Sequence, residues 1–300
     1  MKKHKLQPLG FEEGIYFNMP DSDYHADPAI SRSGIVDLLL HPHVYWMGSS
    51  MNPDKIPFTS DAMEFGTQKH TLLLEPEKFA EKYRVTGVHG WDGTKKIAIT
   101  YNRWMDIKTS VERIMDVPYT RQLFTNGYPE VSIFVREPES GLMMRIRVDY
   151  LLTFCAVDFK TIATLNPNKM GWAIADHGYD IQDQMYNSVL AIAKEKLRKG
   201  EIKVYGLDDD AWIKKFMAED VTEFRFVYQL STKPYIARVE RMSADVKKNA
   251  AMCMIDALCK YDESIKAHGT EMWPACEDKT FERDLGDLPA SVRYRGLNLD

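Results

Sequence analysis

The middle of the chain alternates apolar and polar residues with a period of two, which is typical of strands buried on one face. In residues 131–136, Val131, Ile133 and Val135 alternate with Ser132, Phe134 and Arg136. Gly141 marks a turn, and residues 143–152 and 154–162 are predicted to form two more strands. Three strands joined by short connections predict an antiparallel meander.

Helical periodicity is found on both sides of this meander. A cap signature at residues 31–34 precedes the first helix, and Pro76 is expected to interrupt the second. The predicted helices cover residues 35–40, 61–82, 101–117, about 168–199 with a break near 177–179, and about 244–266. Two further strands are predicted at 224–230 and 235–242. This order predicts an α/β (α+β) fold with a central mixed sheet flanked by helices.

Composition favours one globular domain. The 300 residues are 44% hydrophobic and 28% charged, and no Pro/Gly/Ser linker or internal repeat divides them. We therefore expect a single domain over residues 1–300, with a helical part to about 125 and a sheet with its helices over about 126–275. The net charge of −5 excludes a whole-chain basic field, so any nucleic-acid contact must rely on local positive charge.

The basic start of the sequence and the spacing of its cysteines do not indicate export, a membrane span or a bound cluster. The basic start is not followed by an apolar run, and no apolar run approaches the roughly eighteen residues of a membrane helix. We expect a cytoplasmic protein without a membrane partner. The four cysteines contain no C-x-x-C pair, and reduced thiols are favoured over an iron–sulfur cluster because Cys155 lies in an apolar strand.

The candidate chemistry lies in the predicted meander, where Asp149 falls near the end of one strand and Asp158 and Lys160 fall on the next. Residues 158 and 160 share a face, while Phe159 points to the other. Two carboxylates supply hard oxygen ligands for Mg²⁺, and a lysine can orient or help deprotonate water and stabilise phosphate charge. The alternative is a chance D-x-K facing solvent, but the apolar strand makes unpaired charges there costly.

Two weaker signals flank this group. Gln182 and Tyr186 lie four positions apart on one helix face, where an amide and a phenol can hydrogen-bond a phosphate or a catalytic side chain. His70 precedes an apolar helical run, and a lone helical histidine is more often structural than a ligand.

Four motifs in this order resemble the RecB-like form of the PD-(D/E)XK nuclease superfamily. They are G-T-x-x-H at 66–70, R-x-R-x-D at 145–149, V-D-F-K-T at 157–161 and G-Y-x-x-Q-x-x-x-Y at 178–186. Residues 24–34, 65–79 and 271–275 more closely resemble the nuclease domains of the RecE-like exonuclease family. The likeness spans roughly residues 14–275, and the tail at 276–300 diverges from it.

This resemblance implies a restriction-endonuclease-like core and an exodeoxyribonuclease that uses Mg²⁺, for which Mn²⁺ can substitute. It implies 5′ to 3′ degradation of linear double-stranded DNA, which leaves a 3′ single strand for recombination with a single-strand annealing protein. It also implies a homo-oligomer, a toroidal homotetramer, by analogy.

The resemblance also assigns roles to residues. The implied metal ligands are His70, Asp149, Asp158 and the backbone carbonyl of Phe159. Lys160 would act on the nucleophilic water, with Gln182 and Tyr186 in support. Glu130 matches a family glutamate and is either a site residue or a strand-edge residue. The DNA-binding candidates are Ser31, Ser33 and Arg147, although the serines also fit a simple helix cap. Val148 departs from the proline that the family usually has before its aspartate.

Other functions remain open at this point. The chain could be a catalytically silent scaffold that binds DNA ends in recombination, or a nuclease of different polarity or single-strand preference. A metal enzyme acting on a small phosphorylated substrate ranks last, because no phosphate-cradling glycine loop is present.

Overall fold

The computed structural model of the protein describes residues 10–56, 60–87, 93, 95–219, 223–276, 280, 282 and 284–287. The strands in these residues are β1 (Gly14–Tyr16), β2 (Tyr83–Thr86), β3 (Ile97–Thr100), β4 (Tyr128–Arg136), β5 (Met143–Leu151), β6 (Cys155–Ile162), β7 (Lys203–Tyr205), β8 (Glu223–Leu230) and β9 (Ala237–Glu240). The α-helices are α1 (Asp21–Ala26), α2 (Arg32–Leu40), α3 (Pro42–Gly48), α4 (Asp61–Leu74), α5 (Pro76–Lys82), α6 (Tyr101–Met115), α7 (Pro118–Gln122), α8 (Pro167–His177), α9 (Tyr179–Arg198), α10 (Asp210–Ala218) and α11 (Ala244–His268). A short 3₁₀ helix follows at Leu285–Asp287.

A seven-stranded sheet in the order β7-β1-β4-β5-β6-β8-β9 forms the centre of the fold. β4, β5 and β6 pair antiparallel, which confirms the predicted meander. β8 joins β6 in parallel, and β9 returns antiparallel to β8. The sheet is therefore mixed, as predicted, and β2 and β3 form a separate two-stranded parallel sheet.

Helices cover both faces of the central sheet. Even-numbered apolar residues of β6 pack in a large core cluster with α9 and α11, whereas Val157 and Phe159 pack in a second cluster with the end of α4 and with α6. This alternation confirms that residues 158 and 160 share a face. It directs them toward α9 and away from the α4 side.

Local sequence signals explain several boundaries. Ser31 caps α2 and Ser243 caps α11, each by accepting a hydrogen bond from a backbone N–H three residues later. Pro76 starts α5 after the predicted break, and Gly178, at φ +61°, separates α8 from α9. The predicted long helix is therefore two helices.

The structure differs from the predicted elements where strands are short. The N-terminal part contains β1, β2 and β3 as well as helices, and β1 belongs to the central sheet. Strands of three or four residues are too short to show a period. β9 is shorter than predicted because Tyr235, at φ +56°, still belongs to the preceding turn. Most of the divergent tail at 276–300 lies outside the described residues.

Within the described part of the chain, no helix combines the length and the apolar character that crossing a bilayer requires.

Candidate metal and catalytic site

The site forms where β5 and β6 separate. The two strands pair only at Tyr150–Val157 and Leu151–Ala156. Just beyond this pairing, the carboxylate of Asp149 accepts a hydrogen bond of 2.8 Å from the backbone N–H of Phe159. This side-chain hydrogen bond takes the place of the next backbone hydrogen bond between β5 and β6. It holds Asp149 beside the Asp158-Phe159-Lys160 segment.

His70 reaches this point from α4. Its Nε2 lies 3.0 Å from Oδ2 of Asp149, and its Nδ1 lies 3.4 Å from Oε1 of Glu130. One potential ligand atom from each of these three side chains lies within 4.8 Å of the other two. An imidazole nitrogen with two carboxylates is a donor set that divalent cations such as Mg²⁺ or Mn²⁺ accept, so these residues fit a metal.

The backbone at Glu130 is unusual. It has φ of +53°, and the pairs Pro129–Tyr150 and Val131–Val148 flank it, so it lies opposite Asp149. A left-handed conformation in a residue with a side chain costs of the order of 1–3 kcal/mol and is retained where the surrounding structure requires it. The alternation of β5 is also interrupted here, since Val148 and Leu151 belong to the same core cluster. Both irregularities bring the two carboxylates to one point.

A second polar group lies next to this cluster. Lys160 Nζ is 2.6 Å from Oδ2 of the buried Asp158, and Gln182 Nε2 donates a hydrogen bond to the other carboxylate oxygen. Oε1 of Gln182 is buried and has no hydrogen-bond partner among the described residues. Asp158 is not part of the three-residue group around His70, because its carboxylate contacts Lys160 and Gln182 instead.

The close charges shift several pKa values. Burial opposes a charge on His70, but Asp149 and Glu130 raise its pKa to about 9. Burial raises the pKa of Glu130 to about 7, although His70 partly opposes this, and burial together with Asp149 raises the pKa of Asp158 to about 6. For Asp149, the cost of burial is outweighed by His70 and Lys160, which lower its pKa. At neutral pH the site therefore holds an ionised Asp149 beside a protonated imidazole.

A cavity of about 860 Å³ opens onto His70, Glu130 and Asp149. Apart from Arg147, its lysines and arginines come from four separate parts of the chain: Arg32, Lys55, the α5 pair Lys78 and Lys82, and Arg145. Carboxylates also line the cavity, so its positive charge is confined to these side chains. This agrees with the expectation that a chain of net charge −5 can contact nucleic acid only through local positive charge. These basic residues were not singled out from the sequence, because each is an isolated charge that becomes part of one surface only in the fold.

The three DNA-binding candidates also line this cavity. Ser31 accepts a hydrogen bond from the N–H of Gly34, and its hydroxyl lies 2.9 Å from that of Ser33. Arg147 donates to Ser132 and to Asp21, each at 2.9 Å. Its guanidinium is therefore already held by neighbouring residues.

Tyr186 lies beside the site without touching its carboxylates through a hydrogen bond. Its hydroxyl donates to the backbone carbonyl of Arg147 at 2.8 Å. Because Arg147 is two residues before Asp149, this bond ties the metal-side strand β5 to α9, which also carries Gln182. α9 therefore holds both strands of the site.

Comparison with known proteins assigns the family. Residues 49–205, more than half of the 300-residue chain, match the family described as "PDDEXK-like domain of unknown function (DUF3799)". The chain belongs to this family. The matched segment of this PDDEXK-like protein contains the histidine, carboxylates, lysine, glutamine and tyrosine described above, whereas the two serines of α2 precede it.

One solved structure supports the fold. The PDDEXK-like protein is similar to a crystal structure from Eubacterium rectale that is named "Putative exonuclease", with a TM-score of 0.55 and 13% sequence identity. The match covers 94% of this chain and all of the other. No curated protein matches the chain. Family and fold together show a PDDEXK-like domain. Its nuclease activity and the narrower RecE-like assignment stay predictions.

Proposed function

We propose that the protein is a RecE-like, Mg²⁺-dependent exodeoxyribonuclease that degrades linear double-stranded DNA from 5′ to 3′. The observation that carries this proposal is the cluster of His70, Glu130 and Asp149, which lines one cavity. The Asp158–Lys160 ion pair lies next to this cluster. These are the parts that phosphodiester hydrolysis needs: ligands for a divalent cation, and a cation to stabilise phosphate charge.

His70, Glu130 and Asp149 would hold the metal, with Asp158 and the Phe159 carbonyl as further ligands implied by the resemblance. A bound divalent cation supplies Lewis-acid stabilisation of the phosphate and lowers the pKa of water. Binding requires a neutral imidazole, so the proton on His70 must leave first.

Lys160 would act as a positively charged hydrogen-bond donor and not as a general base. Burial disfavours its charge, but Asp158 and Asp149 keep its pKa above the usual value, so it is a cation at neutral pH. A protonated lysine donates hydrogen bonds, and it would orient the attacking water and stabilise charge on the scissile phosphate. Gln182 keeps Asp158 in position by donating to its second oxygen.

The proposed DNA substrate, polarity, oligomer and partner are supported by the family resemblance and by the cavity. Its local basic residues offer contacts to the phosphate backbone of linear duplex DNA. The 5′ to 3′ polarity, the toroidal homotetramer and the delivery of 3′ single strands to an annealing protein belong to the RecE-like part of the proposal.

A single digestion assay tests this function. Blunt linear duplex carrying a 5′ or a 3′ label is incubated with the purified protein in EDTA, Mg²⁺ or Mn²⁺, beside the Lys160→Ala variant and an exposed control, Lys248→Ala. We expect early release of the 5′ label with either metal, none in EDTA, and loss of activity only in Lys160→Ala. Undiminished digestion by that variant would contradict the mechanism.

The same assay separates the alternatives. Early release of the 3′ label would reverse the polarity, and faster digestion of single strands would change the substrate. Retention of labelled ends without nucleotide release at every metal concentration would identify a silent scaffold.

A further inference from the structure

Arg147 lies on the ladder of β4 and β5 next to the two carboxylates of the proposed metal site. It pairs with Ser132 across the two strands, and Glu130 and Asp149 are each two residues away along β4 and β5. Nε of Arg147 lies 3.8 Å from Oε2 of Glu130. Arg147 is therefore a charged neighbour of a proposed metal ligand, although it is not itself part of the ligand group.

The carboxylate of Glu130 lies between two basic side chains. Nδ1 of His70 lies 3.4 Å from its Oε1, and Arg147 lies on the side of its Oε2. Attraction of Oε2 to the guanidinium leaves Oε1 directed at His70, where the three metal-binding side chains converge. The left-handed backbone of Glu130 is also retained only while surrounding contacts hold it, and the contact with Arg147 is one of these.

The guanidinium of Arg147 is fixed by its own neighbours. Its N–H groups donate at 2.9–3.3 Å to a hydroxyl, a carboxylate and two backbone carbonyls, which are those of Ser132, Asp21, Met19 and Pro20. An arginine has five N–H groups, so four are already used. The side chain is only 10% exposed, and its guanidinium carbon lies 4.3 Å from the centre of the Tyr24 ring. Arg147 is therefore held in one position, from which it can fix that of Glu130.

A side chain held in this way is poorly placed to bind DNA. Arginine recognises phosphate best when two parallel N–H groups face the anion, and Arg147 has only one left. Lys82, which is exposed and lines the same cavity, is better placed to contact the DNA backbone. The DNA contact expected for Arg147 from the sequence is therefore replaced by contacts within the protein.

We propose that Arg147 is a positioning residue for the metal ligand Glu130 and does not contact DNA. It holds Oε2 of Glu130 so that Oε1 is directed at the metal position before the ion arrives, which removes an ordering cost from metal binding. The guanidinium is held by its planar fork, so a lysine, which has a single ammonium group, cannot replace it although it carries the same charge. This inference rests on the proposed nuclease function.

The affinity for Mn²⁺, measured calorimetrically without DNA, tests the positioning role. Arg147→Lys keeps the charge, so the repulsion between this side chain and the ion is unchanged and only the fork is lost. We expect an affinity about 10-fold lower, the effect of losing a partner of a metal ligand. Asp21→Ala, which removes one exposed partner of Arg147 and leaves the contact with Glu130, should bind Mn²⁺ as the wild type does. Equal affinity in wild type and Arg147→Lys, or an equal loss in Asp21→Ala, would overturn the proposal.

Binding of linear duplex DNA in EDTA, measured at several salt concentrations, tests the absence of a DNA contact. Each lost phosphate contact lowers the slope of log K against log salt concentration by about 0.9. We expect an unchanged slope in Arg147→Met and a lower slope in Lys82→Met. A lower slope in Arg147→Met would overturn the proposal and make the arginine a DNA contact. Circular dichroism checks the fold of the methionine variant, and if it does not fold, the calorimetry of Arg147→Lys decides.

Nucleotide release from linear duplex DNA separates this inference from the function on which it rests. Arg147→Lys should need about 10-fold more Mn²⁺ for half-maximal release, and it should approach the wild-type rate at saturating Mn²⁺ with an unchanged KM for DNA. A raised KM with a normal Mn²⁺ requirement would overturn the positioning role while leaving the nuclease intact. Failure of the wild type to release nucleotides would overturn the nuclease, and the calorimetry without DNA would still decide the role of Arg147.

Discussion

Replacing Glu130 by glutamine should stabilise the metal-free protein and weaken its metal binding. Burial raises the pKa of Glu130 from 4.5 to about 7 in the folded chain. At 1.36 kcal/mol per pKa unit, the ionised carboxylate costs the folded state about 3 kcal/mol above pH 7. Glutamine keeps the shape and the backbone but removes this charge.

The effect of Glu130→Gln on the free energy of unfolding depends on pH, because the folded and unfolded states bind the Glu130 proton with different affinity. Below about pH 4.5 the carboxyl is protonated in both the folded and the unfolded state, so the substitution should have no electrostatic effect. Between about pH 4.5 and 7 the unfolded wild type ionises while the folded one still holds the proton, so the free energy of unfolding of the wild type falls relative to that of Glu130→Gln and then levels off.

The assay is thermal unfolding at pH 5 and pH 8, in EDTA and in Mn²⁺. In EDTA at pH 8 the variant should melt about 6 °C higher than the wild type. Mn²⁺ should raise the Tm of the wild type and have much less effect on the variant, because a ligand has been removed. Glu139→Gln, in the exposed turn after β4, is the matched control. A lower Tm for Glu130→Gln in EDTA at pH 8, or an equal Mn²⁺ shift, would refute the reasoning.

Three further predictions concern the elements that build the site. The affinity for Mn²⁺, measured calorimetrically, should fall about tenfold per pH unit from pH 9 to 7, because binding displaces the proton of His70, and more steeply below pH 7, where Glu130 also holds a proton; a pH-independent affinity would contradict this. Gln182→Leu should lower kcat and cost about 1–3 kcal/mol in chemical denaturation, because a buried carboxylate oxygen loses its donor, whereas Gln184→Leu on the same helix should change kcat little. Gly178→Ala should cost about 1–3 kcal/mol, because the residue has φ +61° and its new Cβ would lie 2.5 Å from a valine of α2, while Gly171→Ala, with open space, should be neutral or stabilising.

The sheet could be predicted from the sequence more fully than the site. Period-two alternation was sufficient to predict the meander and the shared face of Asp158 and Lys160, because strand geometry fixes that parity. The proline at position 76 and the change of character around residues 177–179 also located the two breaks between helices. These features depend on local residue chemistry, which a sequence displays directly.

The position of Glu130 is the opposite case. Its approach to His70 depends on a left-handed backbone in β4 and an interrupted alternation in β5, and strict period-two reasoning excludes both. Family resemblance alone left the residue undecided between site and strand edge. The same limit applies to Arg32, whose cavity position depends on how α2 packs against the rest of the fold.

The most direct test of the central claim is nucleotide release from linear duplex DNA as Mg²⁺ is titrated, with wild type and Asp149→Asn compared at equal protein concentration. Asp149 contacts both His70 and the backbone of Phe159, so this substitution affects the metal cluster and the catalytic strand together. The account predicts saturable, Mg²⁺-dependent release by the wild type and a loss of about 100-fold in the variant, the upper end of the 10- to 100-fold effect of changing even an outer-shell partner of a metal. Binding of DNA ends by the wild type without release at any Mg²⁺ concentration, or equal release by both proteins, would contradict it.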